Sequence, residues 1–234
     1  MKFSELSWAA FCFYYRSVGD KKYGKIMGDT SFISRLRETP SEISASEFEQ
    51  KVILDYVSIE SYDLLLKHKL AESIVAKVVE LQPKISSLQN YTILNCNLSD
   101  KDITGKIEAI YSGFHEINGL WVTGISKIIH VLNDVLFPIL NPDIMDYFRL
   151  PQDKSVPVDW LTLVQRNAQE VTADFHELGF SGSPETFLSE KLGYTRSGYQ
   201  KSLIKFIDEY YWLCVGDGFS IPPSWIPAYN TGQG

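Results

Sequence analysis

The sequence predicts an all-α protein, and three observations carry that expectation. Apolar residues recur at helical spacing through most of the 234 residues, helix start and stop residues punctuate the pattern, and alternating strand-like runs are nearly absent. With 44% hydrophobic and 13% aromatic residues the chain has material for a full core, in one domain or in two fused lobes (1–98 and 99–234), and a disordered chain is excluded. A transmembrane protein is excluded as well, because no apolar run approaches the roughly 20 residues a spanning helix needs.

The elements follow in order. Residues 3–18 carry aromatics and Leu/Ala at mixed spacing and predict a helix. Residues 19–40 contain Gly19, Gly24 and Gly28 among basic residues and predict a long loop or a short hairpin. Ser44 with Glu47 fits a capping box, opening a helix with Phe48, Val52, Leu54 and Tyr56 inward. Residues 62–81 form a second stripe through Leu65, Leu66, Leu70, Ile74, Val78 and Leu81, which Pro83 is expected to stop. The extended link predicted at 90–97 is the one departure from helix. Ser99, Asp100 and Asp102 start a helix to about His115. Residues 117–134, interrupted by Gly119 and Gly124, predict a helix, a glycine hairpin and a second helix. An apolar link at 135–140 leads to Pro142, at a natural first position of a helix through Phe148. Long and short helices at 158–178, after Ser183, and at 199–215 complete the chain, before a Gly/Pro-rich tail.

Charge narrows the function classes. The net charge of −7 argues against indiscriminate coating of nucleic acid, which is driven by phosphate neutralisation. Locally the balance reverses: from Arg16 to Arg37 six basic residues face two acids, and Lys21, Lys22 and Lys25 fall within nine residues of Arg16. Beside them Phe13 and Tyr14 belong to a dense aromatic start, which serves either as core or as a stacking wall for a base. Cys12, Cys96 and Cys214 are widely spaced and outside any C-x-x-C pair, so they read as reduced thiols of a cytoplasmic protein. The histidines have no metal-ligand spacing with acids or cysteines, and no metal site is expected.

One segment stands apart, running from Gly119 through Thr123-Gly124-Ile125-Ser126-Lys127 and Phe137-Pro138-Ile139-Leu140 to Asn141-Pro142-Asp143. Small residues before a helix start leave backbone amides free to hold a phosphate. A lysine in a first turn is disfavoured by the macrodipole, so Lys127 is either solvent-exposed, paired with an anion, or given a chemical task. His130, three residues on, is either a hydrogen-bonded core histidine or a contact to a base. Asn141 is placed to cap the helix that begins at Pro142, and Asp143 lies in its first turn.

The progression Gly-Ile-Ser-Lys, Ile-Ile-His-Val-Leu, Leu-Phe-Pro-Ile-Leu-Asn resembles the core of the helix-hairpin-helix DNA glycosylase superfamily, in its 8-oxoguanine-glycosylase-like bacterial branches, and more weakly the anti-phage glycosylases of that kind. The resemblance implies a hairpin at 117–134 in which Gly124 and Ser126 grip a phosphate, with Lys127 near the sugar. It also implies a carboxylate delivered after the Phe-Pro-Ile link, a position held by Asn141 or, two residues on, Asp143. Ser126 stands where the family has a second glycine. The implied activity is excision of a modified base flipped out of DNA, by a monomer that uses no metal or organic cofactor. The rival expectation is a helical DNA- or protein-binding module that keeps the hairpin without the chemistry.

Overall fold

A computed structural model of the chain describes residues 1–16, 19–57, 64–150 and 156–220; among these there are eleven α-helices and no strand. In chain order they are α1 (Phe3–Arg16), α2 (Gly19–Met27), α3 (Thr30–Glu38), α4 (Ala45–Phe48), α5 (Leu64–Ser87), α6 (Lys101–His115), α7 (Val122–Leu132), α8 (Pro142–Phe148), α9 (Val156–Glu177), α10 (Pro184–Leu192) and α11 (Leu203–Tyr211). Two π-helical stretches adjoin them, Glu49–Val57 after α4 and Trp212–Gly216 after α11. No helix among the described residues is long and apolar enough to cross a membrane.

Side chains decide where most of these helices begin. Asp29, Ser44, Asp100, Asn141, Ser183 and Ser202 each accept a hydrogen bond from a first-turn amide of the following helix. Each such cap stabilises by about 1 kcal/mol. The capping box at Ser44 is only half made. Ser44 Oγ accepts from Glu47 N at 3.1 Å, but the Glu47 carboxylate turns to Arg35, at 2.6 and 3.1 Å. The guanidinium offers a bidentate charged partner where the box offers one neutral amide.

Four sequence expectations need correction. Residues 19–40 are not a loop: α2 and α3 occupy most of them, because Tyr23, Ile26, Met27, Phe32, Ile33 and Leu36 form inward stripes that outweigh the glycines. Gly24 has a packing role, since a Cβ there would stand 3.0 Å from Tyr199 Cε1. Pro83 does not end its helix; α5 runs through it to Ser87, held by Ile74, Val78, Leu81 and Ile85 in the core. That packing offsets the roughly 3 kcal/mol an interior proline costs. Residues 90–97 make turns, with Asn95 and Thr92 bonding each other's backbone, not an extended strand. Leu54, expected inward, is 41% exposed, because the wider π turn of Glu49–Val57 shifts the phase of the face that began at Phe48. The side chains of Leu65 and Leu66 and the 221–234 tail lie outside the described residues.

The main apolar core is continuous from Phe3 to Tyr211 and draws on both sides of residue 98. Its centre is α7, whose Ile125, Ile128, Ile129, Val131 and Leu132 are all buried, and the wholly buried Trp160 of α9, whose Nε1 donates to Ile139 O at 3.1 Å. The Glu49–Val57 stretch packs against α2, α5 and α7, and α1 packs against α11. Lys205 of α11, over the rings of Phe13 in α1 and Tyr23 in α2, joins the two groups around one interior region.

Candidate functional site

The turn between α6 and α7 lies at 116–121, earlier than the sequence placed it. Gly119 takes a left-handed φ of +84°, which favours glycine, and Leu120 N donates to Ile117 O at 3.2 Å. Gly124 and Ser126, expected in the hairpin, are buried inside α7. A Cβ on Gly124 would stand 2.9 Å from Leu120 Cδ1 and 3.4 Å from Val57 Cγ1, so this glycine allows close packing. Ser126 Oγ accepts from Leu140 N at 3.0 Å and is within 3.0 Å of Leu140 O and 3.1 Å of Thr123 O. It ties the 135–140 link to α7. At the head of α7, Trp121 occupies the cap position with no side-chain hydrogen bond, unlike the six capped helices, and is 81% exposed. The turn and α8 enclose a pocket of about 510 Å³ walled by Leu120, Trp121, Met145 and Asp146.

At α8 the two alternatives for the carboxylate position separate. Asn141 Oδ1 accepts from Ile144 N at 2.8 Å and caps the helix, whereas Asp143 is exposed in its first turn.

Lys127 sits in the second turn of α7 and points elsewhere. Its ammonium donates to Tyr56 O at 3.1 Å and stands 5.4 Å from the Tyr56 ring centroid. Burial pushes its pKa down, Lys205 and Lys22 push it down further, and Asp208 opposes them. A lysine so placed holds a larger neutral, nucleophilic fraction than a free one. The carboxylate acting on it comes from α11.

That helix supplies most of the site. Lys205 donates to Asp208 Oδ2 at 2.6 Å, lies 3.7 Å from Glu209 Oε1, and stands over the rings of Tyr23 (5.3 Å) and Phe13 (5.8 Å). Burial works against its charge, yet the carboxylates of Asp208 and Glu209 prevail and raise its pKa. One turn earlier Lys201, fully buried, donates to Glu209 Oε1 (2.8 Å) and Oε2 (3.0 Å) and to Tyr194 OH (2.8 Å). Tyr56 is 7% exposed and its hydroxyl has no hydrogen-bond partner among the described residues. Burial, then Asp208 and Glu209 against Lys205, raise its pKa.

The expected base-pocket residues converge on this cluster. Phe13 is buried against both lysines, and Tyr14, 41% exposed, packs edge-on to Tyr194 at 5.5 Å. His130 is fully buried, and its Nε2 lies 3.1 Å from the Tyr23 hydroxyl. Lys21, Lys22 and Lys25 line the exposed face of α2, with Tyr23 on its buried face. Arg35 and Arg37, counted in the same basic stretch, are instead tied to Glu47 and Asp134. Arg37 also donates to Val131 O at the end of α7. The structure therefore groups Phe13, Tyr14, Lys22, Lys127 and His130. Asn141 and Asp143 belong instead to the start of α8.

Lys201, Lys205, Asp208 and Glu209 were not singled out by sequence reasoning. A signal existed: they recur at i, i+4, i+7 and i+8, a helical spacing, inside a largely apolar segment. Among the described residues no group of three or more His, Cys, Asp or Glu could hold a metal ion. No family model, curated protein or solved structure matches the chain.

Proposed function

We propose that this protein is a DNA glycosylase that excises a modified base flipped out of DNA, a hypermodified base of viral DNA being the substrate class the sequence resemblance favours. The observation that carries this is the convergence of a half-buried lysine of lowered pKa, an aromatic wall and a buried carboxylate beneath an exposed basic helix face: Lys127, then Phe13, Tyr23 and Tyr56, then Asp208, with Lys22 outside. Excision develops positive charge on the sugar and negative charge on the departing base, so a carboxylate and a cation on opposite sides of the bond both lower the barrier. Lys21, Lys22 and Lys25 neutralise backbone phosphates, and the uncapped amides at the head of α7 hold one more. Asp208 takes the sugar-facing carboxylate role in this reading, and Asp143 is its competitor. Asn141 serves as the α8 cap.

The experiment is base release from duplexes carrying modified bases, followed by alkaline cleavage at abasic sites. Asp208→Asn is expected to slow release by about a hundredfold or more while DNA binding persists, the scale of a lost transition-state contact. Asp143→Asn slowed to that extent, with Asp208→Asn unaffected, would move the role to α8. Borohydride trapping of a covalent complex would assign the attack to Lys127; base release without trapping assigns it to water. No base release from any such duplex by the wild-type chain would leave the binding-module reading. The mutual pairing of Lys205 with Asp208 and of Lys201 with Glu209 favours that alternative.

A further inference from the structure

A second pocket, of about 380 Å³, is bounded by the 92–94 turn, Asp134 and Val135 after α7, Glu185 of α10, and residues 200–204 leading into α11. Its charged groups do not balance. Lys201 lines it, but the ammonium is turned to Glu209 and Tyr194. Asp134 is engaged by Arg37 at 2.8 Å. Glu185 is different. Its Oε2 is shut off from solvent and has no hydrogen-bond partner among the described residues. A first-turn acid is favoured by the α10 macrodipole, but that attraction leaves the oxygen's lone pairs unsatisfied, and a buried acceptor without a donor is costly.

The rest of the lining says what kind of donor fits. Ile93, Leu94, Val135, Leu203 and Ile204 make aliphatic walls. A bare metal ion would need more ligands than two carboxylates, and no three-residue metal-holding group exists among the described residues. The donor must therefore carry its own apolar body. We propose that this pocket binds an organic cation, a primary ammonium or guanidinium on an aliphatic stem, with Glu185 as its counter-ion. A volume of this size accommodates such a stem, and a charge-assisted bond to Glu185 fixes its head. The cation reaches the pocket either as a free amine or as a Lys or Arg side chain of a partner protein. The inference is independent of the DNA chemistry proposed above.

The test is calorimetric titration of the full chain with n-pentylamine, with a lysine blocked at both backbone ends, and with the N-acetylated, uncharged form of each side-chain or free amine. Saturable binding of a charged form at about 1 mM or tighter is expected, with the uncharged forms at least about tenfold weaker. Tighter binding of n-pentylamine points to a free amine, and tighter binding of the blocked lysine to a side chain. Glu185→Gln should weaken binding by about tenfold or more. Leu94→Trp, at a 41% exposed position on the pocket wall, should block it without touching the carboxylate. Absence of saturable binding, equal binding of charged and uncharged forms, or unchanged binding by either variant overturns the proposal.

Discussion

Tyr23 donates its hydroxyl proton to His130 Nε2, 3.1 Å away, because His130 Nδ1 is committed as the donor to Phe137 O at 2.6 Å. A carbonyl can only accept, so the neutral imidazole carries its proton on Nδ1 and must accept on Nε2. The same hydroxyl lies 3.5 Å from Asp134 Oδ2, so protonating His130 would force Tyr23 to turn its proton to Asp134.

Burial lowers the His130 pKa below its ordinary 6.5, with Asp134 and the Phe137 carbonyl opposing. The unfolded chain then binds the proton more readily than the native one. Stability linked to His130 is complete above pH 6.5 and declines as pH falls below it. Thermal melts at about pH 7.5 and about pH 5.5 should show a larger acid loss for wild type than for His130→Gln. Equal losses would remove His130 as the source.

Two buried tyrosines of this region, Tyr23 and Tyr56, should behave oppositely. Tyr56→Phe removes a hydroxyl that has no partner among the described residues and is expected to be neutral or stabilising. Tyr23→Phe strips His130 of its donor and should destabilise by about 1 kcal/mol or more. Urea unfolding of both variants decides it; a destabilised Tyr56→Phe would mean that its hydroxyl has a bound partner in solution.

Lys201 and Glu209, 0% and 1% exposed at their side chains, should stand or fall together. Lys201→Met leaves a buried carboxylate without its principal cation and is expected to cost about 3–5 kcal/mol, whereas Lys201→Met with Glu209→Leu should regain most of that loss. A double variant no better than the single would show that the pair contributes net stability as an ion pair.

Gly124→Val tests the packing role of a residue that sequence reasoning gave to phosphate binding. The branched side chain would press on Leu120 and Val57, and a destabilisation of about 1–3 kcal/mol is expected. By contrast Asn141→Ala should cost about 1 kcal/mol through the lost cap alone. If Gly124→Val melts like wild type, the contact to Leu120 relaxes freely.

What was legible in the sequence was whatever a local rule decides. Asn141, Ser183 and Ser44 cap where side-chain chemistry said they would, and the all-α class follows from periodicity. The failures share a cause in tertiary contact. Pro83 and the glycines of α2 obey local propensities only until a packed face outweighs them. Leu54 turns outward because a π-helical turn cannot be seen in a 3.6-residue pattern. Of the site, Phe13, Tyr14, Lys127 and His130 were picked out by residue type, but their meeting point on α11 depends on contacts across more than 70 residues. No spacing rule reaches that far.

The charged face of α11, together with Lys201 just before it, has a consequence for how the chain assembles. Lys201, Lys205, Asp208 and Glu209 go into the interior within nine residues, and each is tolerable there only opposite its partner. Sliding the helix by one position against α1 would strand charges in apolar surroundings, so misregistered dockings are penalised far more than an all-leucine face would penalise them. Paired burial of these charges thus sets the register of this segment against its neighbours as well as its stability.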